Sequence, residues 1–521
     1  MRHTNFAKSL LPLILLMSFC GCATQKLYHS PFEKPLNENE GIVLITINGG
    51  FDSFQWSSIV VKALAITNAN TLSHPLPAAK EFVLFRTNAG KGANKFRFYS
   101  SRLPAGQYQI TGVSDTTETQ FHTSYSWVKF EENSELTFEI KANTITDLGR
   151  LLVYEMSNKD HLVAKINDNF SIYNFINQFS PPLAKKIAGL SLIGWKEKAT
   201  SRDAKAVALA RQNPKSLSEV YNSKRGRFLL GSQLGIVHEI NKEGTINRIE
   251  LDHLKTITSV SEYGEKGIVF GGYNNYLAMI IDSNPEKVIP FNVELKGQIA
   301  DIFVTDKGNI LVSTIYDDWA LAYYYAEDIN DPEWLKISDV KKVEGFLGNR
   351  YSQVFRKQEQ VYIVDPEYKI HQVDLTNGNI ETFLMQSKGN KVWSNDIFID
   401  NNGTFFLPGD KTYTSSELSD GWQLTELNLN GTGKNYLHLG GQKFIREGET
   451  NYSTYMTQLE VSHNGGMTWS QTDIQMPFLA DIIQLDDGNL MIRAHWYLEF
   501  ISSSNFAERN HIPFTLKRQL N

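Results

Sequence analysis

Acids, histidines and arginines are the residues here that could do chemistry, and their spacing decides whether they do. Asp317-Asp318 and Asp486-Asp487 are paired carboxylates, the grouping that general acid and base steps use. Both pairs sit in turn-like stretches, where solvation explains them. The twelve histidines show no metal-ligand spacing. His238, His371, His438 and His495 fall in or near strand-like runs, where core and edge roles prevail over ligation. Gly271-Gly272 and Gly440-Gly441 read as strand-end turns and follow no phosphate-loop pattern. Nucleophile elbows and dinucleotide fingerprints are absent from the sequence. Arg225, Arg227, Arg248, Arg350, Arg356, Arg446 and Arg493 could gather to hold an anion; scattered surface arginines are the plainer expectation. The reading is therefore no catalytic residue, no metal and no cofactor.

The frame that must position these residues is long and ordinary in composition. The 521 residues are 41% hydrophobic and 21% charged, which excludes disordered, collagen-like and disulfide-framework chains. Aromatic content of 12% with 36 glycines leans towards strands and turns. A net charge of -6 gives no electrostatic case for nucleic acid as a partner.

Residues 1–21 read as a leader. Arg2 and Lys8 precede an apolar run from Leu10 to Met17, too short to span a bilayer and in proportion for a secretory signal. Phe19-Cys20-Gly21-Cys22 follows. It resembles the bacterial lipoprotein signal, with small Gly21 ahead of Cys22. That resemblance implies cleavage before Cys22, a lipidated (palmitate-bearing) cysteine and a membrane anchor. Cys20 would leave with the leader, so no internal disulfide could form. Ala23 stands where Asp would resemble an inner-membrane retention signal, which points to the outer membrane. Residues 22–40 are polar with Pro31 and Pro35 and read as a tether.

Residues 41–159 carry about eight short strand-like runs, beginning with Gly41–Ile47 and parted by turn signals, and read as a two-sheet β-sandwich. Within them, Leu103-Pro104-Ala105-Gly106-Gln107-Tyr108 resembles a corner of transthyretin-like sandwiches. Pro104 would fix φ there, and Gly106 would give the turn its freedom. That likeness implies an accessory or adhesion module. Residues 160–213 lose the strand pattern and read as a helical connector. Pro181-Pro182 interrupts it, Ser201 is a possible N-cap, and Trp195 is expected to pack on a domain.

Residues 214–521 repeat a turn-then-strand unit. Its turns fall at Gly226, Gly267, Gly308, Gln358, Gly403 and Gly488, with one more unit expected near Gly448. Seven units of forty-odd residues suit a β-propeller of about seven blades, each covering its neighbour's face. The Asp-x-Gly-Asn turns are expected to join the first two strands of a blade.

One motif is sharper. Ser462-His463-Asn464-Gly465-Gly466-Met467-Thr468-Trp469 resembles the Asp-box of sialidase-type propellers, with Asn464 in place of Asp. The resemblance implies a structural hairpin between a blade's outer two strands, held by Ser462, Asn464, Gly466, Thr468 and Trp469. A sialidase would also need an Arg-Ile-Pro signature; the nearest string is His511-Ile512-Pro513. Rings concentrate at Trp319, Tyr323-Tyr324-Tyr325 and Trp496-Tyr497, mostly as core, with any exposed ones a binding surface. The expected protein is all-β and lipid-anchored in the cell envelope. It would bind an envelope protein without catalysis; the alternative is a glycan-binding protein or sialidase-like hydrolase.

Overall fold

Alternating and continuous apolar runs of β-branched residues dominate the chain, and the computed structural model is built almost wholly of strands. It describes Phe32 and residues 35–513, apart from linking stretches of which 49–55, 67–79, 89–96, 282–287, 385–396 and 430–435 are the longest. The leader and Cys22 lie outside the described residues. Contacts divide the chain into two compact units, one holding most of residues 35–200 and the other running from Ser201.

The first unit is a ten-stranded sheet. Its strands are β1 (Glu40–Asn48), β2 (Ser58–Ile66), β3 (Glu81–Asn88), β4 (Arg97–Pro104) and β5 (Gly106–Glu118), then β6 (Thr123–Lys129), β7 (Thr137–Ile140), β8 (Thr144–Glu155), β9 (His161–Lys165) and β10 (Ser191–Ile193). The order β10-β8-β1-β4-β3-β2-β5-β6 is continuous, with β7 on β5 and β9 on β8. The two layers expected of a sandwich are thus joined in one continuous hydrogen-bonded ladder. The long strand β5 pairs with β2, β6 and β7, so hydrogen bonding passes through it without a break. Register shifts in the β2–β5 pair bend the sheet. Alternate residues such as Val43 and Ile45, Ile59 and Val61, and Phe138 and Ile140 then meet in one core.

At the predicted corner, Tyr108 is fully buried and its hydroxyl donates to the Pro104 carbonyl at 2.7 Å. Gly106 serves closeness rather than freedom: a Cβ there would strike the backbone at Ala65 and Ile66. Before β1, Phe32 packs on Phe98, and Arg102 donates to the Pro35 carbonyl at 2.8 Å. Residues 160–213 hold helices α1 (Ile172–Phe179), α2 (Pro181–Ile187) and α3 (Ser201–Gln212), along with β9 and β10. Pro181 and Pro182 open α2, where a missing N–H costs nothing. The Trp195 indole donates to the Leu148 carbonyl at 2.6 Å and meets Phe138 edge-on.

From residue 221 the chain forms a seven-bladed β-propeller, each blade a four-stranded antiparallel sheet in sequence order. Blades 1 to 7 span 221–250, 257–290, 298–340, 353–384, 398–424, 436–477 and 481–513. A two-stranded hairpin, Val343–Gly345 with Gly348–Arg350, lies between blades 3 and 4. The turns at Gly226, Gly308, Gly403 and Gly488 join the first two strands of their blades, all with positive φ. In blade 4 Gln358 takes that role at φ 54°, which is why this copy reads weakly in sequence. The blade 6 turn is at Gly440-Gly441; Gly448 lies inside the second strand, Phe444–Asn451, so its expected unit is displaced.

Both faces of a blade are apolar. In Gly267–Gly272 every residue is buried. Ile268 and Phe270 pack with Leu229 of blade 1, and Val269 packs with Ile302 of blade 3. The ring closes the same way, with Phe228, Leu230 and Ile240 of blade 1 against Met491, Leu498 and Ile512 of blade 7. All four strands of each blade come from one contiguous stretch, so closure rests on packing and not on an exchanged strand. In blades 2 and 3 the first strands lie side by side. Thr258 Oγ1 donates to the Ile299 carbonyl at 2.6 Å, and the Ile302 N–H donates to Ser259 Oγ at 2.9 Å.

Candidate functional site

In an antiparallel blade the turns between strands one and two and between strands three and four emerge on the same face. On that face, polar side chains from first-strand ends and nearby turns stitch blade to blade. Ser223 of blade 1 donates to Glu262 of blade 2 at 2.6 Å, and Arg227 contacts Glu262 at 2.6 Å and Glu239 at 2.5 Å. Asn330 of blade 3 donates to the Tyr263 hydroxyl of blade 2 at 3.3 Å. Arg356 of blade 4 donates to the Val304 carbonyl of blade 3 at 2.9 Å, and Lys357 donates to the Gly403 carbonyl of blade 5 at 3.1 Å. His438 of blade 6 meets Asp400 of blade 5 at 2.8 Å.

Blade 7 carries an apolar side chain at the corresponding position: its first strand, Asp481–Gln484, leads into Leu485. At this seam lies a cavity of about 400 Å³, within the range of about 300–1,000 Å³ common for ligand sites. Phe228 and Phe500 meet in its lining, centroids 5.4 Å apart at 52°. The first turns of blades 1 and 7 add Asn222, Ser223 and Asn489, and the last hairpin of blade 7 adds Ser502 and Asn510. Asp487, Glu508 and Arg509 bring charge to the rim. Asp487 accepts from the Asn489 N–H at 2.9 Å and from its side-chain amide at 3.1 Å. Arg509 donates to the carbonyls of Phe506 at 3.3 Å and Asp473 at 3.1 Å.

The residues singled out by type do not converge. Arg227 and Arg248 are in blade 1, Arg356 in blade 4, Arg446 in blade 6 and Arg493 in blade 7. Arg248 pairs with Glu250 at 2.9 Å, and Arg446 pairs with Glu460 at 2.8 Å while lying over the Trp469 ring. Arg225, the Arg350 side chain, Asp317, Asp318, Trp319, Asp486, His495 and Trp496 fall outside the described residues. His371 meets Thr382 at 2.9 Å. His238 is wholly buried beside Ser232; burial, with Arg248 adding to it, pushes its imidazole down to about 3. Tyr323, Tyr324 and Tyr325 are buried between blades. Among the described residues no three His, Cys, Asp or Glu side chains gather as metal ligands, and no helix is long and apolar enough to cross a membrane.

The 462–469 turn joins the third and fourth strands of blade 6, Met456–Ser462 and Ser470–Pro477. Ser462 Oγ accepts from the N–H groups of Asn464 at 3.3 Å and Gly466 at 2.8 Å, and donates to Asn464 Oδ1 at 3.0 Å. Asn464 Oδ1 also accepts from the Thr468 N–H at 2.9 Å, and its amide donates to Thr468 Oγ1 at 2.9 Å. Trp469 packs on Tyr436.

Sequence reasoning missed Glu239, Glu262 and the lining of the seam. It also missed Asp301, whose carboxyl is pushed up by burial against the opposing bond from Ser313. The available signal was positional. Aligning blades on their first turns puts Tyr263, Lys357 and His438 near one level and Leu485 among them.

No family model and no curated protein matches this chain. Among solved structures, one titled "YCF48 bound to D1 peptide" is 15% identical at a TM-score of 0.38, covering 54% of this chain and 90% of its own. YCF48 from Cyanidioschyzon merolae is 12% identical at 0.40, covering 56% and 97%. BamB from Moraxella catarrhalis is 9% identical at 0.33, covering 54% and 80%. These likenesses concern the fold alone.

Proposed function

We propose that this chain is a lipid-anchored protein of the cell envelope that binds a protein partner through its propeller and catalyses no reaction. The anchor is Cys22, after an apolar run and Gly21, and Ala23 favours the outer membrane. The 462–469 turn is a structural Asp-box with Asn464 in the acid's place. The observation that carries the binding role is the closing seam. It is a ready-made cavity lined by the amides of Asn222 and Asn510 and the Phe228 and Phe500 rings, with Asp487, Glu508 and Arg509 at its rim. Such a mix of apolar and hydrogen-bonding groups suits recognition of protein surface. A sialidase-like hydrolase would need its arginines gathered. The described ones occupy four separate blades, and Arg227, Arg248, Arg356 and Arg446 are each paired to a glutamate of the propeller.

The test has two parts. Full-length protein is expected in the membrane fraction, and Cys22→Ser is expected to release it. Pull-down from detergent-solubilised envelope should then recover one stoichiometric protein that survives a salt wash. Retention on a polysaccharide or peptidoglycan column with no protein partner would overturn the protein-binding reading.

A further inference from the structure

The closing seam differs from the other seams in what its rim leaves unused. The side-chain amides of Asn222 and Asn510 make no hydrogen bond to another described residue. Each offers a donor pair and an acceptor together, the complement of a peptide group. Ser223 is already bonded to Glu262, and Glu508 has an interaction of its own. Phe228, Phe500, Leu485 and Ile501 supply the apolar half of a mixed lining. Phe228 is 1% exposed and Phe500 tilts onto it. Phe228 therefore presents no open face of the kind a sugar stacks on, and the half-buried Phe500 forms the wall of the socket. Asn510 lies on the outermost strand of blade 7, Arg509–Pro513, whose outer edge no described strand pairs.

We propose that this cavity receives one uncharged apolar side chain of an extended peptide segment, with the flanking main chain held by the amides of Asn222 and Asn510. The inference rests on the protein-binding reading and specifies its ligand. The fit follows from the order of the parts: a socket walled by Phe228 and Phe500, two amides at its lip, and beside them a strand edge that no described strand pairs, along which an extended chain can continue. A charged side chain would lose part of its hydration against the rings of the socket.

The test uses full-length protein in detergent micelles and blocked pentapeptides of sequence Gly-Ala-X-Ala-Gly, with X as Phe, Leu, Lys or Asp. Methyl glucoside is the sugar control, and binding is followed by saturation-transfer NMR. The Phe and Leu peptides are expected to bind, and the Lys and Asp peptides to bind at least about tenfold more weakly. Phe500→Trp, which fills the socket, should abolish binding. Asn510→Ala, at an exposed position that the fold does not depend on, should weaken it several-fold with the melting temperature unchanged. Equal binding to Phe500→Trp, equal binding of charged and apolar peptides, binding of the glucoside alone, or no binding of any probe would each overturn the proposal. If the peptides fail while a stoichiometric envelope partner is still captured, the cavity assignment falls and the scaffold reading stands. If the peptides bind while no partner is found, the converse holds.

Discussion

Two residues show how single side chains set stability here. Asn464 closes the 462–469 turn with one acceptor oxygen serving two donors. Removing it in Asn464→Ala leaves the Thr468 N–H without that partner and should cost about 1–3 kcal/mol in denaturant melts. Asn464→Asp keeps the acceptor and should fall within about 1 kcal/mol of the parent. A cost for Asp as large as for Ala would mean that the amide hydrogens, not the oxygen, organise the turn. His238 carries a pH effect. Its folded pKa lies below its unfolded value of about 6.5, so the unfolded chain binds the extra proton. Its contribution is therefore present above about pH 6.5 and is lost as pH falls towards about 3. The slope is about 1.4 kcal/mol per pH unit within that window. His238→Gln should flatten the acid side of the stability curve by that slope, and curves that stay parallel would refute it.

At the scale of the element, the blade turn is the repeated unit, and its φ sets the residue it prefers. Gln358 sits where other blades place glycine, at φ 54°. Gln358→Gly should relieve left-handed strain that exceeds the entropy cost of glycine, for a gain of up to about 1 kcal/mol. The mirror experiment is Gly308→Ala, at φ 96°, with an expected loss of about 1–3 kcal/mol. Thermal melts of both would settle the sign, and a neutral Gly308→Ala would show that the turn can rearrange. The strands are equally readable: each copy's glycine is followed by an apolar strand buried on both sides. Gly448 was misplaced in sequence because the blade 6 turn is a Gly-Gly pair with no acid before it, so the familiar spacing pointed one strand too late.

At the scale of the whole molecule, the propeller holds itself shut by apolar faces. If closure is as strong as any internal seam, Leu498→Ala at the blade 7–blade 1 contact and Leu459→Ala at the blade 6–blade 7 contact should each cost about 2–5 kcal/mol. Denaturation of the two variants tests this. A near-silent Leu498→Ala would mean that the ring is held elsewhere. The seam is also where a ring with no exchanged strand can most readily open or admit a ligand, because only side-chain packing joins the two ends of the domain.

Periodicity and turn chemistry are local properties, so the sequence by itself determined the strands, the positions of most turns, the blade repeat and the 462–469 motif. The proposed leader ending at Cys22 is likewise read as a linear string. The continuous pairing through β5 in the first unit was not legible, because which strands pair across it depends on bulges and long-range register. The seam cavity and the Arg227–Glu239–Glu262 cluster were not legible either. They join residues from different blades, or from opposite ends of the propeller. Only ring closure, driven by burial of both faces of every blade, brings Asn222 beside Asn510 and leaves Leu485 where its neighbours carry a polar bridge.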